Sequence, residues 1–118
     1  MPRVFTASHF GVDDHHGRIL SISRTQPRGM PRKDDLNILF PSAGLLSLYK
    51  RGEVSWEQYE ACHNSYLRAN APSIRRQIEE MGNEDVTLCC WEREPNFCHR
   101  RLAAEFLKEL GLEIGNIA

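Results

Sequence analysis

The chain has 118 residues, 41% of them hydrophobic and 26% charged, enough to sustain one core without disulfide staples and too apolar for wholesale disorder. Fifteen basic residues oppose sixteen acidic ones, which excludes binding to nucleic acid or membrane through bulk positive charge. No apolar run reaches the ~20 residues of a membrane-spanning helix, and the start Met1-Pro2-Arg3-Val4-Phe5 has no signal-peptide pattern, so the expected address is the cytoplasm.

Val4–Ala7 is β-prone and reads as a first strand, and Ile19–Ser23 as a second. Pro41-Ser42 opens a helix that carries Leu45, Leu46, Leu48 and Tyr49 and closes at Gly52. Ser55-x-x-Gln58 has the form of a capping box, and Trp56, Tyr59, Cys62 or His63, Tyr66 and Leu67 follow as one stripe. Asn70-Ala71-Pro72 restarts the chain as a helix with Ile74, Ile78 and Met81 inward and Gly82 just past its end. Val86–Trp91 shows neither period, which suits a strand buried on both faces. Cys98 to Leu110 is the last helix, ended by Gly111, and Leu112–Ile114 is a short final strand. Strands interleaved with helices predict an α/β layer fold with a mainly parallel sheet flanked by helices, in one domain over residues 1–118.

Charge is uneven along the chain. Arg18, Arg24, Arg28, Arg32 and Lys33 occur with no intervening acid in a Pro- and Gly-containing loop, a candidate anion contact as well as an ordinary solvated loop. The four cysteines (Cys62, Cys89, Cys90, Cys98) include no Cys-x-x-Cys pair, and a reducing compartment disfavours a disulfide framework. They therefore read as packing, reactive thiols or an irregular metal site. Cys62 is expected to be packed in its helix stripe, and Cys89 to face away from Cys90. His15 and His16 read as exposed loop residues, as does His9, which follows the first strand and so can also face a crevice at its end.

The stretch Cys90-Trp91-Glu92 through Cys98-His99-Arg100-Arg101 reads as strand end, loop and helix start. Ligands of open α/β sheets bind at the carboxyl ends of the strands, and a helix N-terminus there favours anions. Cations at that positive end break a local rule, which either an anionic ligand or salt bridges to Glu92 and Glu94 would resolve. Cys98 at the helix cap is expected to be the most acidic thiol. Cys90 and Glu92 share one face of the strand end, Glu92 as acid, base or partner of Arg100. The P-loop and Gly-x-Gly-x-x-Gly patterns are missing, and no cofactor or metal is assigned.

Cys90-x-Glu92 followed by Cys98-His99-Arg100 resembles the signature of the family catalogued as domain of unknown function 488. Ser21-Ile22-Ser23-Arg24-x-x-Pro27 is similar to its second-strand motif, and Leu39-Phe40-Pro41-Ser42 with Gly52-x-x-Ser55-x-x-x-Tyr59 to its shorter branch. Cys89 is an extra cysteine beside the family position. The resemblance implies a small Rossmann-like fold and supplies residues but no reaction.

The leading functional reading is a thiol-dependent enzyme acting on a phosphate- or carboxylate-bearing substrate. Cys98 or Cys90 is its nucleophile, Glu92 or His99 its proton-transfer group, and Arg24 with Arg100 its anion clamp. The alternatives are a non-catalytic module for a nucleotide or nucleic acid, the latter unsupported by net charge, and a metal-holding or redox-sensing protein. No membrane partner is expected, and the oligomeric state is not legible.

Overall fold

The computed structural model describes residues 1–94 and 96–118. Within them five strands, β1 (Val4–Ser8), β2 (Arg18–Ser21), β3 (Asp34–Asp35), β4 (Val86–Cys90) and β5 (Ile114–Ile117), form one sheet in the order β3-β2-β4-β1-β5. Every pairing is parallel, so the expected α/β layer fold stands, with Rossmann-like layering. β4 lies at the centre, Ser8 paired to Cys90 on one side and Ser21 to Cys89 on the other.

All five residues of β4 are buried, as its unbroken apolar run predicted. Side chains alternate across a strand. Leu88 and Cys90 join the core that contains Leu67, Ile74, Ile78, Ala103 and Leu107. The other face meets the turn after β1, where the Thr87 hydroxyl donates to the His16 carbonyl and Cys89 Sγ lies 3.6 Å from His15 Nε2. Gly17, at φ +61°, passes so close to the Asp85 carbonyl that a Cβ would overlap it.

The helices are α1 (Ala43–Lys50), α2 (Trp56–Ala69), α3 (Ala71–Glu80) and α4 (His99–Glu109). Ser42 caps α1, and the Ser55–Gln58 box closes reciprocally at the start of α2. α4 packs on β1, β4 and β5, and α2 packs on α4. No helix of the described residues is long and apolar enough to cross a membrane.

Boundaries differ from expectation at four strands. β1 runs to Ser8 rather than Ala7. β2 ends at Ser21 rather than Ser23, and β4 at Cys90, leaving Trp91 39% exposed at the sheet edge. The last strand is Ile114–Ile117 instead of Leu112–Ile114, because Leu112 turns into the core and Glu113 offers only its carbonyl to Val4 N. Cys62 is exposed, not packed: α2 buries Tyr59, His63 and Leu67, a spacing of four that rotates Cys62 outward. His9 is fully buried rather than a loop residue in solvent, and His15 is half-buried, bonded through Nε2 to the Ser8 carbonyl at 2.9 Å.

Candidate functional site

Three strand ends meet at one edge of the sheet. His9 N donates to the Cys90 carbonyl and Ile22 N to the Cys89 carbonyl, both at 2.9 Å, so the chain leaving β1 and β2 is held beside the end of β4. α4 starts against the same edge, with Cys98 as its N-cap residue. Between these segments and α1–α2 lies a cavity of about 200 Å³, whose walls include Ser23, Arg24, Glu92, Cys98 and His99. Four of the six residues singled out in the sequence (Arg24, Glu92, Cys98, His99) thus share one wall; Cys90 and Arg100 lie behind it.

Cys98 is 2% exposed, and its sulfur lies 3.4 Å from Glu92 Oε2 and 3.9 Å from His99 Nδ1. The remaining imidazole nitrogen, His99 Nε2, donates to the Ile22 carbonyl at 2.7 Å. A carbonyl can only accept, so Nε2 carries the proton and Nδ1 presents its lone pair to the sulfur. Burial lowers the pKa of His99 to about 4, which keeps the ring neutral at pH 7.

Arg100 is fully buried, and its guanidinium donors go to Ala118 O (2.8 Å), Glu92 O (2.6 Å), Arg93 O (3.1 Å) and Cys90 Sγ (3.0 Å). Sequence reasoning placed Arg100 in the anion clamp beside Cys98; the structure sets it beneath the cavity with its charge turned to Cys90. Burial lowers its pKa, while Glu92 pulls the other way. The sulfurs of Cys90 and Cys98 are in bonding contact across Cα atoms 7.8 Å apart, one pair where the sequence argued against a disulfide framework. Cys89 is buried and free, its thiol pushed up to about 11 by desolvation.

Arg24 is exposed at the cavity, its Nε bonded to the Pro41 carbonyl at 2.8 Å. Other members of the basic loop are partly neutralised: Arg18 pairs with Asp34 and Arg32 with Asp35. Gln26 clamps the loop through Lys33 N, Lys33 O and the Asp35 carboxylate.

Several residues that line or support the site were not foreseen. Tyr49, Lys50, Trp56, Trp91 and Phe97 line the cavity, and the available signal was that Trp56 opens a helix while Trp91 directly follows a buried strand. His9 donates from Nε2 to Ser23 Oγ (2.8 Å), which itself donates to Thr25 O (2.7 Å). His9 Nδ1 and His63 Nε2 are buried without a hydrogen-bond partner among the described residues. His63 stacks on Tyr59 and meets His99 edge-on at 5.9 Å.

A family model described as the active DUF488-N3 subclade matches residues 9–111. No curated protein and no solved structure matches the chain.

Proposed function

The chain belongs to the family of domain of unknown function 488, and from that premise we propose that it is a thiol-dependent enzyme acting on a phosphate- or carboxylate-bearing substrate in the crevice. The observation that carries this reading is Cys98 Sγ in the cavity wall with two proton acceptors, Glu92 Oε2 and His99 Nδ1, within 4 Å. Cys98 is the nucleophile, and it loses its proton to His99 or Glu92 as it attacks. The start of α4 adds its partial positive charge at the same place. Arg24 holds the substrate anion. Arg100 is a positioning residue that fixes Cys90 and the Glu92 backbone. The reducing cytoplasm, the proposed compartment, keeps Cys90 and Cys98 as free thiols.

The test is alkylation of the reduced protein by iodoacetamide at neutral pH, each cysteine read by mass spectrometry. Cys98 is expected to label faster than Cys90 and Cys89, and an excess of phosphate or a small carboxylate to slow it. A Cys98 that labels no faster than buried Cys89 sinks the enzyme reading.

A second reading is favoured by one observation: Cys90 Sγ, Cys98 Sγ and a His99 nitrogen lie within 4.8 Å of one another. That donor set suits a soft divalent ion such as zinc. Cobalt added to reduced protein would give a one-to-one thiolate charge-transfer band, absent in Cys90→Ala. Without such a band, the metal reading is withdrawn.

A further inference from the structure

We propose that the crevice takes a small anion carrying a planar aromatic ring, a ligand of the mononucleotide class. The inference rests on the reading of the crevice as the substrate site and names what enters it.

Five of the chain's ten aromatic residues (Tyr49, Trp56, Tyr59, Trp91 and Phe97) line this one cavity, both tryptophans among them. Tyr59 is buried, stacked against Trp56 and His63, while Trp91 and Phe97 are exposed. The Trp91 indole N–H is satisfied by Thr25 O at 2.9 Å and Thr25 Oγ1 at 3.0 Å, yet the residue stays 39% exposed. Trp56 stacks on Tyr59 at 5.2 Å and takes the edge of Phe97 at 5.6 Å, with Phe97 itself 62% exposed. Two exposed rings, Trp91 and Phe97, in a concave, aromatic-lined site are covered best by the stacking of a flat ligand ring.

The charge at the cavity supplies the other half of the ligand. Arg24 and Lys50 line it, and neither has a carboxylate partner among the described residues. The acid in the wall, Glu92, is turned to the Cys98 thiol. Two uncompensated cations beside stacked rings fit an anionic group attached to an aromatic ring. At about 200 Å³ the cavity lies below the ~300–1,000 Å³ of drug-sized sites. That size favours one ring and its anion over a dinucleotide.

Because Trp56 and Trp91 are the only tryptophans and both line the cavity, intrinsic fluorescence reads the site directly. Reduced wild-type protein and Cys98→Ala are titrated with nucleoside monophosphates, an aromatic carboxylate, the parent nucleosides and inorganic phosphate. Saturable quenching by a ring-bearing anion is expected in both proteins, about tenfold or more tighter than by the nucleoside or by phosphate alone. The phosphate and carboxylate arms say which anion is preferred. Lys50→Ala, a surface change that leaves folding alone, is expected to weaken binding at least about threefold, and Trp91→Leu to weaken it further. Equal affinity for inorganic phosphate and for every ring-bearing anion overturns the inference, as does no saturable response from any of them. If such anions bind while Cys98 proves unreactive, the ligand class stands and the enzyme reading falls. If Cys98 is reactive and phosphate-protected but no ring-bearing anion binds, the enzyme reading stands and the ligand class falls.

Discussion

His99 gives its Nε2 proton to the Ile22 carbonyl at 2.7 Å, and that bond determines what its other nitrogen can do. The residue that follows β2 thereby sets the tautomer at the first position of α4, far away in sequence. Nδ1 is left as an acceptor 3.9 Å from Cys98 Sγ. An oriented imidazole beside a thiol can take its proton as the sulfur attacks, although the burial that lowers its pKa works against it as a base.

The first prediction follows from that geometry. His99→Gln keeps a polar side chain at the position but removes the base. Alkylation of reduced Cys98 near pH 7 is expected to slow by at least about tenfold, at the low end of what a positioned general base supplies. Near-ultraviolet circular dichroism checks that the fold persists. Should the rate stay unchanged while Glu92→Gln lowers it, Glu92 is the acceptor and His99 only supports it.

Arg100 supports a second prediction, on stability. Its buried guanidinium holds the Cys90 sulfur and the backbone oxygens of Glu92, Arg93 and Ala118, the last three only partly shielded from solvent. Arg100→Ala removes these bonds and leaves a void beside Cys90, and is expected to cost about 2 kcal/mol, since water can reach the part-buried carbonyls. Arg100→Lys keeps the charge but not the fork, so it should recover only a minor part. Urea unfolding under reducing conditions measures both. A loss below about 1 kcal/mol for Arg100→Ala would mean that water reaches the site and replaces the guanidinium.

The elements were legible because each carries a local signal: the Ser55–Gln58 box, the four-residue spacing of Ile74 and Ile78, and the enclosed run of β4. β3, two residues long and exposed, carries none, and its pairing to β2 exists only in the folded sheet. The site was half legible. The segment from Cys90 to Arg100 announces a strand end and a helix start, but local sequence cannot say which way a long side chain turns. Arg100 turned inward, and its place beside the cavity is taken by Lys50 from α1. The aromatic wall comes from segments distant in sequence, so no spacing rule reveals it. Cys62 and His63 differ by one helical step, and only the packing of α2 on α4 decided between them.

A third prediction isolates a purely local contribution. Ser55 Oγ accepts from Gln58 N at 3.1 Å while Gln58 Oε1 accepts from Ser55 N at 2.8 Å. Ser55→Ala removes half of this box and should destabilise the protein by about 1 kcal/mol. Trp56 is the first residue of the helix so capped. The same change is therefore expected to alter Trp56 fluorescence before global unfolding, as the first turn frays. Superimposable emission in folded mutant and wild type would show that packing on Tyr59 holds Trp56 without the cap.

The last prediction concerns pH. Burial lowers the pKa values of His9 and His63 to about 4, and that of His99 to the same level despite the Ile22 carbonyl, which pulls it upward. In the unfolded chain each would titrate near ~6.5. Between those values the unfolded state binds more protons than the folded one, so acid favours unfolding. The stabilising contribution is complete above pH ~6.5 and is lost as pH falls toward 4, with each imidazole adding up to about 1.4 kcal/mol per pH unit inside the window. Urea midpoints should therefore be level from pH 8 to 7 and fall steeply from 6.5 to 4.5. His63→Phe tests the origin of the slope. A phenyl ring suits the stack between Tyr59 and Tyr66, removes the unpartnered Nε2, and cannot take a proton. The variant should lose stability more gently on acidification, by about one proton's worth, while matching wild type within roughly 1.5 kcal/mol at pH 7. A wild-type slope that His63→Phe leaves intact would assign the acid sensitivity to His9 and His99 or to carboxylates such as Asp85, whose pKa is lowered by its bond to Arg3.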